Sequence, residues 1–384
     1  MWIREVGNGS CGPKSWWRTA GVVMAAAVIA SAVVAHAGEP PAERGGDRAV
    51  AAHEGGYKLS RGAYRVSVSR ATLHDEARDK DLEVVIRSPR VEKTPAKGTE
   101  PIAFPMVVFS HGMGGSGETF AELTEHWASH GYVVVLPTHA DSLKFRSREE
   151  RRGFVRNPRE ATRTVDLAQR VGDVKFLLDS IPAIEKEAGL TGKATIDREH
   201  LCVAGHSAGA FTAQLAIGMR ARGQQVVGER GLPLTSIGDA RFKGAIIISG
   251  QGVVGGALTK DSWASVDRPI LTITGSLDTS RASNQTPESR QDSFTYSRGR
   301  EKGGPPAYLL FIEGATHSSY AGKSASRVLG ETPTTASKVI TDAVASSTLA
   351  LLDMVSKDDE AAKRYLESDA IEEISKDAVR WEWK

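Results

Sequence analysis

The sequence predicts an α/β fold: a mostly parallel central sheet of about eight strands with helices on both faces. Two observations predict it. From residue 106 onward, short and wholly apolar runs alternate with amphipathic stretches, the pattern of strands buried on both faces and separated by crossover helices. One of those apolar runs leads through Gly205-His206-Ser207-Ala208-Gly209 directly into a helical stretch.

The elements follow in order. Tyr64-Arg65-Val66-Ser67-Val68 alternates as a strand should, and Leu82-Glu83-Val84-Val85-Ile86 reads as its hairpin partner. Pro89, Pro95, Pro101 and Pro105 mark residues 88–105 as a loop. Met106 to Phe109 is a short strand followed by a glycine-rich turn, then a helix with Phe120, Leu123 and Trp127 on one face. Tyr132 to Leu136 is the next strand. Leu167, Val171, Val174, Leu178 and Ile181 form one apolar stripe, which predicts a single helix over 164–188. Leu201 to Ala204 is a strand and 207–219 a helix. Residues 245–248, 270–273 and 308–312 complete the strands, and a helix over 335–356 follows.

The chain has 384 residues, 40% hydrophobic and 25% charged, with a net charge of +2. That is ordinary globular composition. No block of Lys and Arg interleaves with aromatics, so a nucleic-acid partner is not expected. The N-terminus differs from the rest. Arg4, Lys14 and Arg18 precede an apolar run over 19–35, and Ala35-His36-Ala37 follows. This describes a secretory signal over 1–37, cleaved after Ala37. The alternative is a retained membrane anchor, for which the Ala-rich run is short. Residues 38–59 read as a flexible leader, 60–384 as one catalytic domain and 357–384 as its C-terminal extension. Of the two cysteines, Cys11 lies in the signal, which leaves Cys202 alone in a strand, as a small hydrophobe. Export without disulfides suits a secreted or periplasmic bacterial protein.

The Gly205 to Gly209 pentapeptide sits where a nucleophile elbow requires it, between strand and helix, with Ser207 on the corner. A glycine-bordered turn with an N-capping serine is the structural alternative. Serine needs a base, and elbows of this kind order their partners Ser, then Asp or Glu, then His. Of ten histidines only His317 follows Ser207. Asp239, Asp261, Asp267, Asp278 and Asp292 lie between them. Asp278 alone comes just after the carboxyl end of a strand, where an orienting acid belongs. The backbone amides of Ala208 and Met113 are the candidate oxyanion donors, Met113 within the loop Ser110-His111-Gly112-Met113-Gly114-Gly115. No phosphate-loop pattern or metal-ligand spacing is present, so neither metal nor cofactor is called for. His111, Gly112 and His206 read as structural loop residues.

These residues resemble the α/β-hydrolase superfamily. Within it the likeness is to secreted dienelactone-hydrolase-like, platelet-activating-factor-acetylhydrolase-like and polyester-hydrolase-like serine esterases. It rests on Val108 to Gly115, on His126-Trp127-Ala128-Ser129-His130-Gly131-Tyr132-Val133-Val134-Val135, on the elbow and on Gly275-Ser276-Leu277-Asp278. The resemblance implies hydrolysis of small-molecule or lipid-like esters. A serine peptidase or thioesterase, or a non-catalytic binding protein on the same fold, is the alternative. Acetylhydrolases of this kind place the acid after the sixth strand, where this chain reads Ser249-Gly250-Gln251. Dienelactone hydrolases proper use cysteine where this chain has Ser207. The basic stretch 139–163 follows a strand at the active-site edge. It reads as a lid-like insertion, or as a solvated helix face.

Overall fold

The computed structural model describes residues 56–222, 234–254, 256–280, 282–322 and 331–384. The predicted signal and most of the predicted leader lie outside them.

Among the described residues, nine strands form one sheet in the order β1-β2-β4-β3-β5-β8-β9-β10-β11. They are β1 (Val66–Asp75), β2 (Lys80–Pro89), β3 (Ile102–Ser110), β4 (Val133–Pro137), β5 (Ala194–His206), β8 (Phe242–Ile248), β9 (Ile270–Leu277), β10 (Ala307–Thr316) and β11 (Val379–Trp383). The strands from β4 to β10 run parallel, and antiparallel pairs close both edges. A small separate ribbon pairs β6 (Ala221–Arg222) with β7 (Leu234–Thr235).

Alternate side chains of each central strand enter opposite cores. Met106, Val108, Val133, Val135, Val203 and Ile247 pack under α4 (Leu167–Asp179), α5 (Ile181–Glu187) and α6 (Ala208–Ala216). Val107, Phe109, Val134, Leu136, Ala204 and Ile246 pack under α1 (Ala121–Ser129), α8 (Ser337–Lys357) and α9 (Glu360–Leu366). Burial on both faces explains why these strands read as unbroken apolar runs. The remaining helices, α2 (Arg148–Arg156), α3 (Pro158–Ala161) and α7 (Asp292–Tyr296), lie in loops beyond the carboxyl ends of strands.

Three expectations need correction. The 164–188 helix is two helices that break at Ser180, because Pro182 in the first turn of α5 cannot continue the hydrogen bonding of α4. Residues 102–105, assigned to a loop by their prolines, belong to β3; the β3–β5 register shifts between Pro105 and Met106, where the missing N–H falls. Residues 57–58, assigned to the leader, are docked. Tyr57 is buried, its hydroxyl donates to Asp353 Oδ2 at 2.9 Å, and Lys58 Nζ lies 2.6 Å from the same oxygen. The C-terminal extension supplies α9 and the edge strand β11.

Candidate active site

The parallel strands bring five sequence-distant loops to one edge. Met113 follows β3, Ser207 follows β5, Ser249 follows β8, Asp278 follows β9 and His317 follows β10. This is the carboxyl edge, where such sheets place their ligand sites.

The corner at Ser207 is strained. Its backbone has φ 56° and ψ −115°, a region non-glycine residues seldom occupy. The chain turns from β5 into α6 with no room for neighbouring side chains. A Cβ on Gly205 would lie 2.2 Å from the Gly209 oxygen, and one on Gly209 would lie 1.9 Å from the Ser110 oxygen. Glycine is therefore obligatory at both places. The Ser207 N–H donates to Ile248 O at 2.9 Å, and the Ser207 carbonyl receives Phe211 N–H at 3.1 Å.

Ser207, His317 and Asp278 form one hydrogen-bonded chain. His317 Nε2 is 2.9 Å from Ser207 Oγ, and His317 Nδ1 is 2.8 Å from Asp278 Oδ1. With Nδ1–H donating to the carboxylate, Nε2 is left free to accept the serine proton. Asp278 is fully buried. Its second oxygen accepts Ser249 Oγ–H at 2.6 Å and Thr274 Oγ1–H at 3.0 Å. Burial pushes the carboxyl up, but the Arg290 guanidinium and the His317 hydrogen bond outweigh it and hold Asp278 well below the usual carboxylate range. Three of the other aspartates have other partners: Asp239 pairs with Arg241, Asp267 with Arg268, and Asp292 accepts Val253 N–H.

The 110–115 loop leans on the corner, and a Cβ on Gly112 would lie 3.5 Å from Ser207 Cβ. The loop is fixed by Gly115 N–H to Gly112 O (3.0 Å) and Gly114 N–H to Asp141 Oδ2 (3.2 Å). Among the described residues, neither the Met113 nor the Ala208 amide has an acceptor. Ala208 opens α6, so its N–H also carries the positive end of the helix dipole.

His111 and His206 each hydrogen-bond to neighbouring loops. His111 Nε2 accepts the His139 N–H at 3.0 Å, which leaves Nδ1–H to donate to Gly112 O at 2.6 Å. His206 Nε2–H donates to His317 O at 2.7 Å. Burial, reinforced by the neighbouring His317, pushes His206 down to about 3, so its ring is neutral.

Several site residues have no counterpart among the sequence expectations. Arg170, buried on α4, pairs with both oxygens of Asp141 (2.9 and 2.8 Å) and donates to His111 O at 2.7 Å. It thereby braces the 110–115 loop. Beside it runs a second serine–histidine–aspartate chain: Ser110 Oγ lies 2.8 Å from His139 Nε2, and His139 Nδ1 lies 2.9 Å from Asp173. All three residues are buried, which closes this chain to any substrate. Arg290 and Ser249 support Asp278. One sequence signal was present: Arg170 and Asp173 are charged residues on the apolar stripe of α4. Nothing local marks Arg290.

The basic stretch 139–163 forms a short turn, then α2 and α3. No residue of α2 is buried, and Ser147 and Glu150 close a capping box at its start. Beyond His139, Asp141 and Leu143, whose N–H donates to Gly114 O at 3.0 Å, the stretch touches the site at two places. Phe154 lies against Gly114, whose Cβ would come 2.8 Å from the ring, and Arg159 Nη2 donates to Asn284 at 3.1 Å. Residues 154–159 thus run from the 110–115 loop to the loop after Asp278. Cys202 faces the α8 core, where burial pushes its thiol up to about 11.

The sheet order, the helices on both faces and the strained serine between β5 and α6 define an α/β-hydrolase fold. A family model described as platelet-activating factor acetylhydrolase, isoform II, matches residues 83–151, which run from β2 into α2. The chain is also similar to a solved ferulic acid esterase from Streptomyces cinnamoneus, with a TM-score of 0.52 and 18% identity over 85% of this chain and 99% of that one.

Proposed function

We propose that this chain is a serine esterase that cleaves small-molecule or lipid-like carboxylic esters through an acyl-enzyme. The observation that carries the reading is the unbroken chain Ser207–His317–Asp278, with contacts of 2.9 and 2.8 Å, beside two amides without acceptors. The matching family model and the similar solved structure both bear names of ester-cleaving enzymes, which supports the same reading.

In this mechanism Ser207 Oγ attacks the ester carbonyl carbon while His317 Nε2 takes its proton. The carbonyl oxygen becomes an oxyanion that the Met113 and Ala208 amides stabilise. Asp278 stabilises the imidazolium without taking its proton. The tetrahedral adduct collapses, the alkoxide leaves with the proton from Nε2, and the acyl group stays on Ser207. Water, deprotonated by Nε2, then attacks the acyl carbon and releases the acid. No step needs a metal or a cofactor. The N-terminal pattern further supports export, with cleavage after Ala37.

A fluorophosphonate probe tests this reading. The wild-type chain should be labelled on Ser207, and Ser207→Ala should lose the label. A series of p-nitrophenyl esters of increasing acyl length should then be turned over, with His317→Ala inactive. Labelling that persists in Ser207→Ala would overturn the assignment.

A further inference from the structure

Asp278 has a neighbour that its role as an orienting acid does not require. Arg290, in the turn before α7, is 1% exposed. Its Nε donates to the Asp278 carbonyl at 3.0 Å and lies 2.9 Å from Asp278 Oδ1, the oxygen that also receives His317 Nδ1–H. Its Nη1 donates to Ser249 O at 2.6 Å and Gly250 O at 3.0 Å, while Nη2 is buried with no hydrogen-bond partner among the described residues. The carbonyls alone could be held by a neutral amide. Burying a guanidinium costs several kcal/mol unless its charge is answered, and Asp278 is the anion that answers it.

The surroundings of the pair are otherwise neutral or polar. Asp278 faces Ser249 from β8, Thr274 from β9 and His317 from β10. Tyr320, in the turn after His317, is buried close by, and burial holds its hydroxyl well above the usual phenol range. His317 faces Ser207 and the neutral ring of His206, whose centroid is 4.8 Å away. The exception is Glu331, which accepts the Ser318 N–H at 2.9 Å and its hydroxyl at 2.7 Å, one residue from His317. Among the described residues, Arg290 is the one cation in contact with Asp278.

We propose that Arg290 is a positioning residue that offsets the Asp278 charge, so that the Asp278–His317 pair takes up its inactivating proton at lower pH than an uncompensated pair would. The inference rests on the serine-hydrolase reading. Its physical basis is sign alone. An imidazolium beside a bare carboxylate is stabilised, while one beside a carboxylate already paired with a guanidinium is stabilised less. Because the two groups share one oxygen, the proton belongs to the pair, and its apparent titration is what kinetics would report.

The test is the pH dependence of kcat/KM for p-nitrophenyl acetate, and of fluorophosphonate labelling, from about pH 4 to about pH 9. Arg290→Gln keeps donors for the carbonyls and removes the charge; its acidic limb should move up by about one pH unit. Arg290→Lys keeps the charge, and its limb should stay with the wild type even if the plateau falls. Ser249→Ala removes a neutral donor from the same carboxylate and should move the limb less than Arg290→Gln does. A lowered plateau with an unmoved limb in Arg290→Gln, or a limb moved as far by Ser249→Ala, would overturn the proposal. If Arg290→Gln does not fold, Arg290→Lys decides: a limb that rises by about one unit overturns the proposal. Absence of labelling at every pH in the wild type would instead remove the esterase reading itself.

Discussion

His206 donates its Nε2–H to the carbonyl oxygen of His317 across 2.7 Å. The residue before the proposed nucleophile therefore holds the loop that carries the proposed base. Two loops 110 residues apart in sequence keep Ser207 and His317 in register through this contact.

His206→Phe should keep the ring packing against Phe120, now at a centroid distance of 5.2 Å, and lose the hydrogen bond. Small displacements of reacting groups cost up to about 100-fold in rate. We expect kcat on a p-nitrophenyl ester to fall by about 10- to 100-fold with KM nearly unchanged. An unaltered kcat would show that the loop holds itself.

Arg170→Met leaves Asp141 buried without its cation. Breaking a buried pair from one side costs about 3–5 kcal/mol, a loss readable from the urea denaturation midpoint. The double variant Arg170→Met/Asp141→Leu should recover part of that stability and none of the esterase activity, because the brace behind Met113 is still gone.

Stability should fall in acid in two stages. Burial pushes His126 and His139 down to about 4 and His206 down to about 3, from 6.5. Their folded-state values are depressed, so their contribution is present above about pH 6.5 and is lost as the pH falls toward those values. Three such groups give a slope of about 4 kcal/mol per pH unit at most. Asp141 and Asp173 are held down at about 2 despite their burial, by Arg170 for the one and His139 and Lys80 for the other. Their contribution is lost below about pH 4, as the pH falls toward 2. Urea midpoints measured between pH 8 and pH 4 should show the first stage, and His206→Gln should flatten it by about one proton.

Gly209→Ala should yield little soluble protein. The added Cβ would meet the backbone carbonyl oxygen of Ser110 at 1.9 Å, with no side chain able to move aside. A loss above about 4 kcal/mol is expected, measured by thermal unfolding beside the wild type. A variant of normal stability would mean that the corner can open.

Much of the site was legible because topology restricts it. An elbow serine, one later histidine and an aspartate at a strand end leave few combinations, and Ser207, His317 and Asp278 do meet. What was hidden depends on packing between distant segments. Arg290 reaches Asp278 from a polar loop whose sequence has no period. Ser249, at the position with no carboxylate, gives its hydroxyl to the carboxylate of the next strand. The break at Pro182 and the strand hidden by Pro105 were missed for a common reason: proline marks a possible interruption, and only neighbouring strands and helices decide what it interrupts.

The last strand has a consequence for handling the protein. β11 pairs along β10 from Tyr308 to Ile312, and Lys384 exchanges both backbone hydrogen bonds with Ala307. Trimming the chain after α8 would bare a row of unpaired amides and carbonyls on the strand that ends beside His317. Such a row recruits strands from other copies. Self-association and loss of the base's placement would then arise together, from an alteration made well away from Ser207.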